Sequence, residues 1–158
     1  NFLASGGWDS IVVFYDVRQK EIVGNCLGAH ICGDALDMKG NYVLTGSWKQ
    51  KEQVKIFDIR NYKLVETVNW EYKENDHTSL VYSAQFSKSG GALNSYFAVG
   101  GSNINQFRIW DENEKDRDIF CCEELEGAVY SIDFTNGMTN MVSMGCGDGL
   151  VRVYEIKD

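Results

Sequence analysis

Gly145-Cys146-Gly147-Asp148-Gly149 is the stretch closest in composition to a phosphate-cradling loop. Such a loop needs a strand ahead of it and a helix N-terminus behind it, whose free N–H groups meet the anion. Here Leu150-Val151-Arg152-Val153-Tyr154 follows and reads as a strand, and Asp-Gly between two strands predicts a tight hairpin instead. Metal binding could draw on Cys26, His30 and Cys32, or on the adjacent Cys121 and Cys122. A structural zinc site normally takes four ligands at C-x₂₋₄-C spacing, and neither group supplies them. Nucleophilic catalysis needs a base beside a Ser or Cys, but there are only two histidines, His30 and His77, and no Ser lies in a nucleophile elbow. The expectation is a chain without catalytic residues, metal or cofactor.

Composition narrows the class further. The 158 residues are 44% apolar and 13% aromatic, enough for a packed core and too apolar for a disordered tail. A net charge of −8 with scattered Lys and Arg argues against nucleic acid, whose phosphates need clustered positive charge. No apolar run approaches the ~20 residues of a membrane-spanning helix. Five cysteines, odd in number and without C-x-x-C, predict reduced buried thiols and an intracellular location, cytoplasmic or nuclear. Proline is absent, where average usage would give roughly 8, so corners must be built from Gly, Asn, Asp and Ser. Asn1 opens directly into the strand-like Phe2-Leu3-Ala4, which reads as a cut through a larger protein.

The elements that must carry any site emerge from an internal repeat. Four segments share the pattern apolar, variable, apolar, aromatic, acidic: Val12–Asp16, Val54–Asp58, Phe107–Asp111 and Val151–Glu155. Their acidic positions are 42, 53 and 44 residues apart. Upstream of each stands a Gly-containing turn (Gly6-Gly7, Gly46, Gly100-Gly101, Gly145 to Gly147), and before each turn a short apolar strand. Leu80–Phe86 and Ala128–Phe134 are near copies and read as half-buried strands, with Asp34–Met38 in the same place in the second unit. Outer strands follow the acidic positions at Glu21–Val23, Leu64–Val68 and Asp118–Cys121. No sustained 3.6-residue period occurs, so almost no helix is expected. Polar insertions lie at Glu71–Thr78 and Lys88–Ser95, and Glu123, Glu124 and Glu126 read as an acidic loop.

These residues resemble the WD (Trp-Asp) repeats of β-propellers. Trp110-Asp111 is the signature dipeptide; Tyr15-Asp16, Phe57-Asp58 and Tyr154-Glu155 are degenerate versions. Leu3-Ala4-Ser5-Gly6-Gly7-Trp8-Asp9 resembles the family's hairpin, and Gly28-Ala29-His30 and His77 stand where its Gly-His element precedes an inner strand. The resemblance implies four strands per blade around a central channel. It also implies a hydrogen-bonded His, Ser/Thr, Trp, Asp tetrad, which is incomplete in every unit. The second offers His30 and Thr45 with Phe57 for Trp; the third offers His77 and Trp110 with Val99 for the hydroxyl. The first offers Ser5 and Asp9 with Tyr15 for Trp; the fourth keeps Asp148 with Met144 at the hydroxyl position.

The fold expected is all-β: a partial propeller of about four units (1–29, 30–76, 77–127, 128–158), roughly 14 antiparallel strands as 3, 4, 4 and 3, from a seven-bladed ring completed by missing sequence. Trp8 and Trp48 occupy the same turn position, and Tyr82 and Tyr130 each follow the Val that begins an inner strand, where Asp34 aligns with them. By resemblance these positions open onto one rim of the channel, where such proteins grip peptides. Turn aromatics cannot be wholly buried, and their π-faces beside a carboxylate suit Arg or Lys through cation–π contact. The function expected is a non-catalytic protein–protein interaction scaffold, binding neither nucleic acid nor membrane. The alternatives are a structural subunit of a large intracellular assembly, for example a cytoskeletal or ciliary one, or the propeller part of an enzyme whose catalytic residues lie outside this fragment.

Overall fold

In a computed structural model the chain is described over residues 2–68, 70, 79–88, 95–114, 118–122, 125–136 and 141–156. Among these residues, fourteen strands form four antiparallel sheets in chain order. Sheet one is β1 (Phe2–Gly6), β2 (Ile11–Asp16) and β3 (Glu21–Leu27); sheet two is β4 (Leu36–Lys39), β5 (Tyr42–Gly46), β6 (Val54–Asp58) and β7 (Lys63–Val68). Sheet three is β8 (Leu80–Phe86), β9 (Tyr96–Ser102), β10 (Phe107–Asp111) and β11 (Asp118–Cys122); sheet four is β12 (Val129–Phe134), β13 (Met141–Cys146) and β14 (Val151–Glu155). Each strand pairs with its sequence neighbour, so every sheet is a meander, and the distribution is the 3, 4, 4, 3 that the repeat predicts. No α-helix occurs among the described residues.

The repeated acidic residue closes a turn. Asp16, Asp58 and Asp111 end β2, β6 and β10, and each accepts the N–H two residues on, from Arg18 (2.8 Å), Arg60 (2.8 Å) and Asn113 (2.7 Å). This side-chain turn stands in for the absent proline. The aromatic just before it sits at a register shift in all three sheets: Phe14/Tyr15, Ile56/Phe57 and Ile109/Trp110. One pattern thus encodes a bulge followed by a corner.

Consecutive sheets pack on one another mainly through their first strands: β1 meets β4, β4 and β5 meet β8, and β8 and β9 meet β12. Val12, Phe14, Val43, Val54, Phe57, Phe97 and Trp110 belong to one buried cluster; Phe107, Ile109, Ile132, Val142 and Met144 belong to a second. Trp110 stacks on Phe97 with ring centroids 5.4 Å apart and lies 5.3 Å from Trp70, which comes from the end of the preceding sheet. Lys39 and Glu112 form an ion pair between sheets two and three. Each fully buried large apolar side chain contributes about 1.5–3 kcal/mol, so the junctions hold most of the stability.

Candidate functional site

Two kinds of aromatic in the repeat stay out of the core, those at the β1–β2 and β5–β6 turns and those near the start of β8 and β12. The structure brings all four into one row. Trp8 lies 5.9 Å from the His30 ring, and the His30 carbonyl accepts the Trp48 N–H at 2.8 Å. Trp48 lies 5.8 Å from Tyr82, and Tyr82 meets Tyr130 edge-on at 4.9 Å. Each sheet contributes one ring, and His30, between sheets one and two, joins the first pair.

The local backbone explains the exposure of the tyrosines. Register shifts fall between Val81 and Ser83 and between Val129 and Ser131, so Tyr82 and Tyr130 are the extra residues of two matching bulges. A bulge re-aims the side chain of its unpaired residue, while Val81 and Val129 stay in the core. Trp8 is 70% exposed, Tyr130 51% and Trp48 37%. Tyr82 is half-buried, and its hydroxyl is shifted above the ordinary phenol range, chiefly by burial and then by Cys32 and Tyr130, against a hydrogen bond with Trp48.

Asp34 is exposed beside this row. Its carbonyl accepts the Ala84 N–H at 3.0 Å, and its carboxylate accepts from Gln85 Nε2 at 3.4 Å. The preceding Gly33 has φ +81°, and a Cβ there would stand 2.8 Å from the Tyr82 carbonyl oxygen, so only glycine lets this segment lie against β8. Tyr82 and the Asp34 carboxylate, held by Gln85, thus flank the same strand, β8, and bring π-faces and a carboxylate to one strand. That combination can hold a guanidinium or ammonium group.

The residues singled out for a tetrad are placed separately. His30 Nδ1 faces Ser10 Oγ at 3.4 Å, its backbone N–H donates to Ser47 Oγ at 3.0 Å, and the buried Thr45 hydroxyl donates to the Lys55 carbonyl at 3.2 Å. Ser5 is exposed on β1, and Trp110 is a core residue. Asp9 and Asp148 close equivalent turns by accepting the Ile11 N–H (3.1 Å) and the Leu150 N–H (3.0 Å). His77, like the insertion Glu71–Thr78, lies outside the described residues. Among the described residues no three His, Cys, Asp or Glu side chains are grouped to hold a metal ion, and no helix is long and apolar enough to cross a membrane. His30, which the sequence offers to a tetrad, is the member of the row that spacing did not place there; its ring partner Trp8 is distant in sequence, which leaves no local signal.

No family model and no curated protein matches the chain. Among solved structures it is similar in fold to two computationally designed proteins. The crystal structure of Ika4 matches with a TM-score of 0.75 at 22% identity, over 99% of this chain and 86% of that one. A crystal structure of Ika8 matches with a TM-score of 0.74 at 22% identity, over 99% of this chain and 43% of that one, so the chain spans less than half of Ika8. At this identity the likeness concerns the fold alone.

Proposed function

We propose that the four sheets are successive blades of a partial β-propeller of the WD-repeat type, and that the chain is a non-catalytic scaffold binding a peptide or protein on the channel rim. The observation that carries this is the row Trp8, His30, Trp48, Tyr82, Tyr130, with one ring from each sheet and Asp34 alongside. Aromatic side chains dominate interface energetics when they anchor a partner, and a carboxylate next to them selects a basic one. The partner is therefore an Arg- or Lys-bearing segment in an intracellular protein. The test is a fluorescence titration of the chain with an arginine- and lysine-containing peptide and with its glutamate-substituted counterpart. Saturable quenching by the basic peptide alone is the expected result; equal response to both, or to neither, rejects the site.

A further inference from the structure

The four sheets do not turn alike at the end that carries the aromatic row. In register, five residues separate Gly6 from Val12 and Gly145 from Val151, six separate Gly100 from Phe107, and seven separate Gly46 from Val54. The longest crossing, from β5 to β6, reads Ser47-Trp48-Lys49-Gln50-Lys51-Glu52-Gln53, and its own residues hold it in shape. Gln53 is buried, its Nε2 donates to the Gln50 carbonyl at 2.8 Å, and its own carbonyl accepts the Ser47 N–H at 2.7 Å. Glu52 and Lys55 pair at 2.7 Å. The charge this loop presents is therefore that of Lys49 and Lys51, both exposed, in a chain whose net charge is −8.

Two bonds tie this loop to the segment Gly28–Asp34. Lys49 Nζ donates to the Gly28 carbonyl at 3.0 Å, and the Trp48 N–H donates to the His30 carbonyl at 2.8 Å. The other end of the segment is fixed on β8, where the Asp34 carbonyl accepts the Ala84 N–H at 3.0 Å. A cation thus stands at one end of residues 28–34 and a carboxylate at the other. His30 lies between them in the chain, Trp48 is bonded to His30, and Tyr82 packs against Gly33. Six residue steps at about 3.3 Å each limit the distance between the two charged ends to about 20 Å. An ammonium group has three donors, so Lys49 can bond a second acceptor while it holds Gly28.

We propose that the segment bound on the aromatic row is dipolar: besides the Arg or Lys that faces Asp34, it carries a Glu or Asp that faces Lys49 and Lys51, no more than about six positions away along an extended chain. Charge complementarity selects this chemistry, because a segment of basic residues alone would lay a cation against the two lysines. The inference rests on the reading of the row as a peptide-binding rim and adds to it the sign and the place of a second charge.

The test extends the rim titration in low-salt buffer. The basic peptide is compared with two versions carrying one added glutamate, either four or twelve positions from its arginine. Expected is binding at least about threefold tighter with the near glutamate and no gain from the far one. An acidic chain as a whole repels an added carboxylate, so a gain reports a local cation. Lys49→Gln with Lys51→Gln abolishes the gain and leaves the plain basic peptide bound as before, whereas Asp34→Asn weakens every peptide and leaves the gain in place. Three results overturn the dipolar segment and spare the rim: no gain although the plain basic peptide binds, an equal gain from both placements, or a gain that survives the two lysine substitutions. Failure of every peptide to bind removes the rim and this inference together.

Discussion

Gly46 lies directly beneath Val81. A β-carbon built on Gly46 would stand 2.9 Å from Ala35 Cβ and closer still to Val81 Cγ1, with both of those residues buried. The junction between sheets two and three is therefore a lock whose socket is a missing side chain.

Filling that socket should cost stability. Gly46→Ala overpacks a junction that cannot open without moving β8, a change worth about 1–3 kcal/mol of destabilisation. Gly145→Ala, in equivalent register, meets only the rotatable Ser131 hydroxyl and should stay within about 0.5 kcal/mol of the parent. Urea unfolding of the two variants measures the difference directly. Equal losses would mean that Gly145 is as enclosed as Gly46 in solution.

The tryptophans divide in the same way. Trp110, buried, stacked on Phe97 and tilted against Trp70, should cost about 3–5 kcal/mol on substitution by Ala. Trp8→Ala removes a mostly exposed ring and should shift stability by no more than about 0.5 kcal/mol. Partner binding should respond in the opposite sense, with Trp8→Ala and Trp48→Ala together weakening it by about 2–4 kcal/mol. Thermal unfolding and a peptide titration on the same samples check both halves. An unfolded double variant would make the indoles structural.

Much of this architecture was legible in the residues. The aromatic-acidic pair marks a bulge and an Asx corner, so Tyr15-Asp16, Phe57-Asp58 and Trp110-Asp111 identify the ends of equivalent strands from the sequence alone. Two other things were not legible, for physical reasons. Tyr82 and Tyr130 point outward because of pairing shifts against β9 and β13, and a shift belongs to two strands, not one. Val12 and Val151 have the same pattern position, yet one is enclosed and the other open; what covers a sheet is not written in that sheet.

Acid should weaken the fold through its corners. The Asp58 carboxyl is held below its ordinary value of 3.8 by the Arg60 side chain, bonded at 2.6 Å, and by the Arg60 N–H. Asp16 is lowered chiefly by the Arg18 N–H, and Asp148 chiefly by the Arg152 side chain at 2.6 Å. A carboxyl with a lower pKa in the folded state binds fewer protons there than when unfolded. Its contribution is complete above the unfolded value and is lost as pH falls from about 4 through the folded one. Unfolding temperature should thus hold steady from pH 7 to 5 and drop below pH 4. Asp58→Asn, which keeps the turn acceptor and removes the titration, should flatten that drop; an unchanged slope would assign the acid limb to other groups.

The thiols give a kinetic check on the first junction. Cys26 is buried, its Sγ donates to the Tyr62 carbonyl at 3.4 Å, and burial pushes the thiol up to about 11. Only the thiolate attacks an alkylating reagent, and moving the pKa from 9.0 to about 11 cuts its population near pH 8 by about a hundredfold. Steric exclusion adds to this, because Tyr62 from the β6–β7 turn packs over Phe14 with ring centroids 5.5 Å apart and over Gly24 near Cys26. Iodoacetamide at pH 8 should therefore modify Cys26 at least a hundredfold more slowly in the native chain than in urea, read peptide by peptide by mass spectrometry. Tyr62→Ala opens the cover and leaves β3 in place, so labelling of Cys26 should accelerate while the rate at Cys121, in another sheet, stays as it was. A parallel rise at both would report global unfolding, and no rise at either would show that the tyrosine is not what seals the thiol.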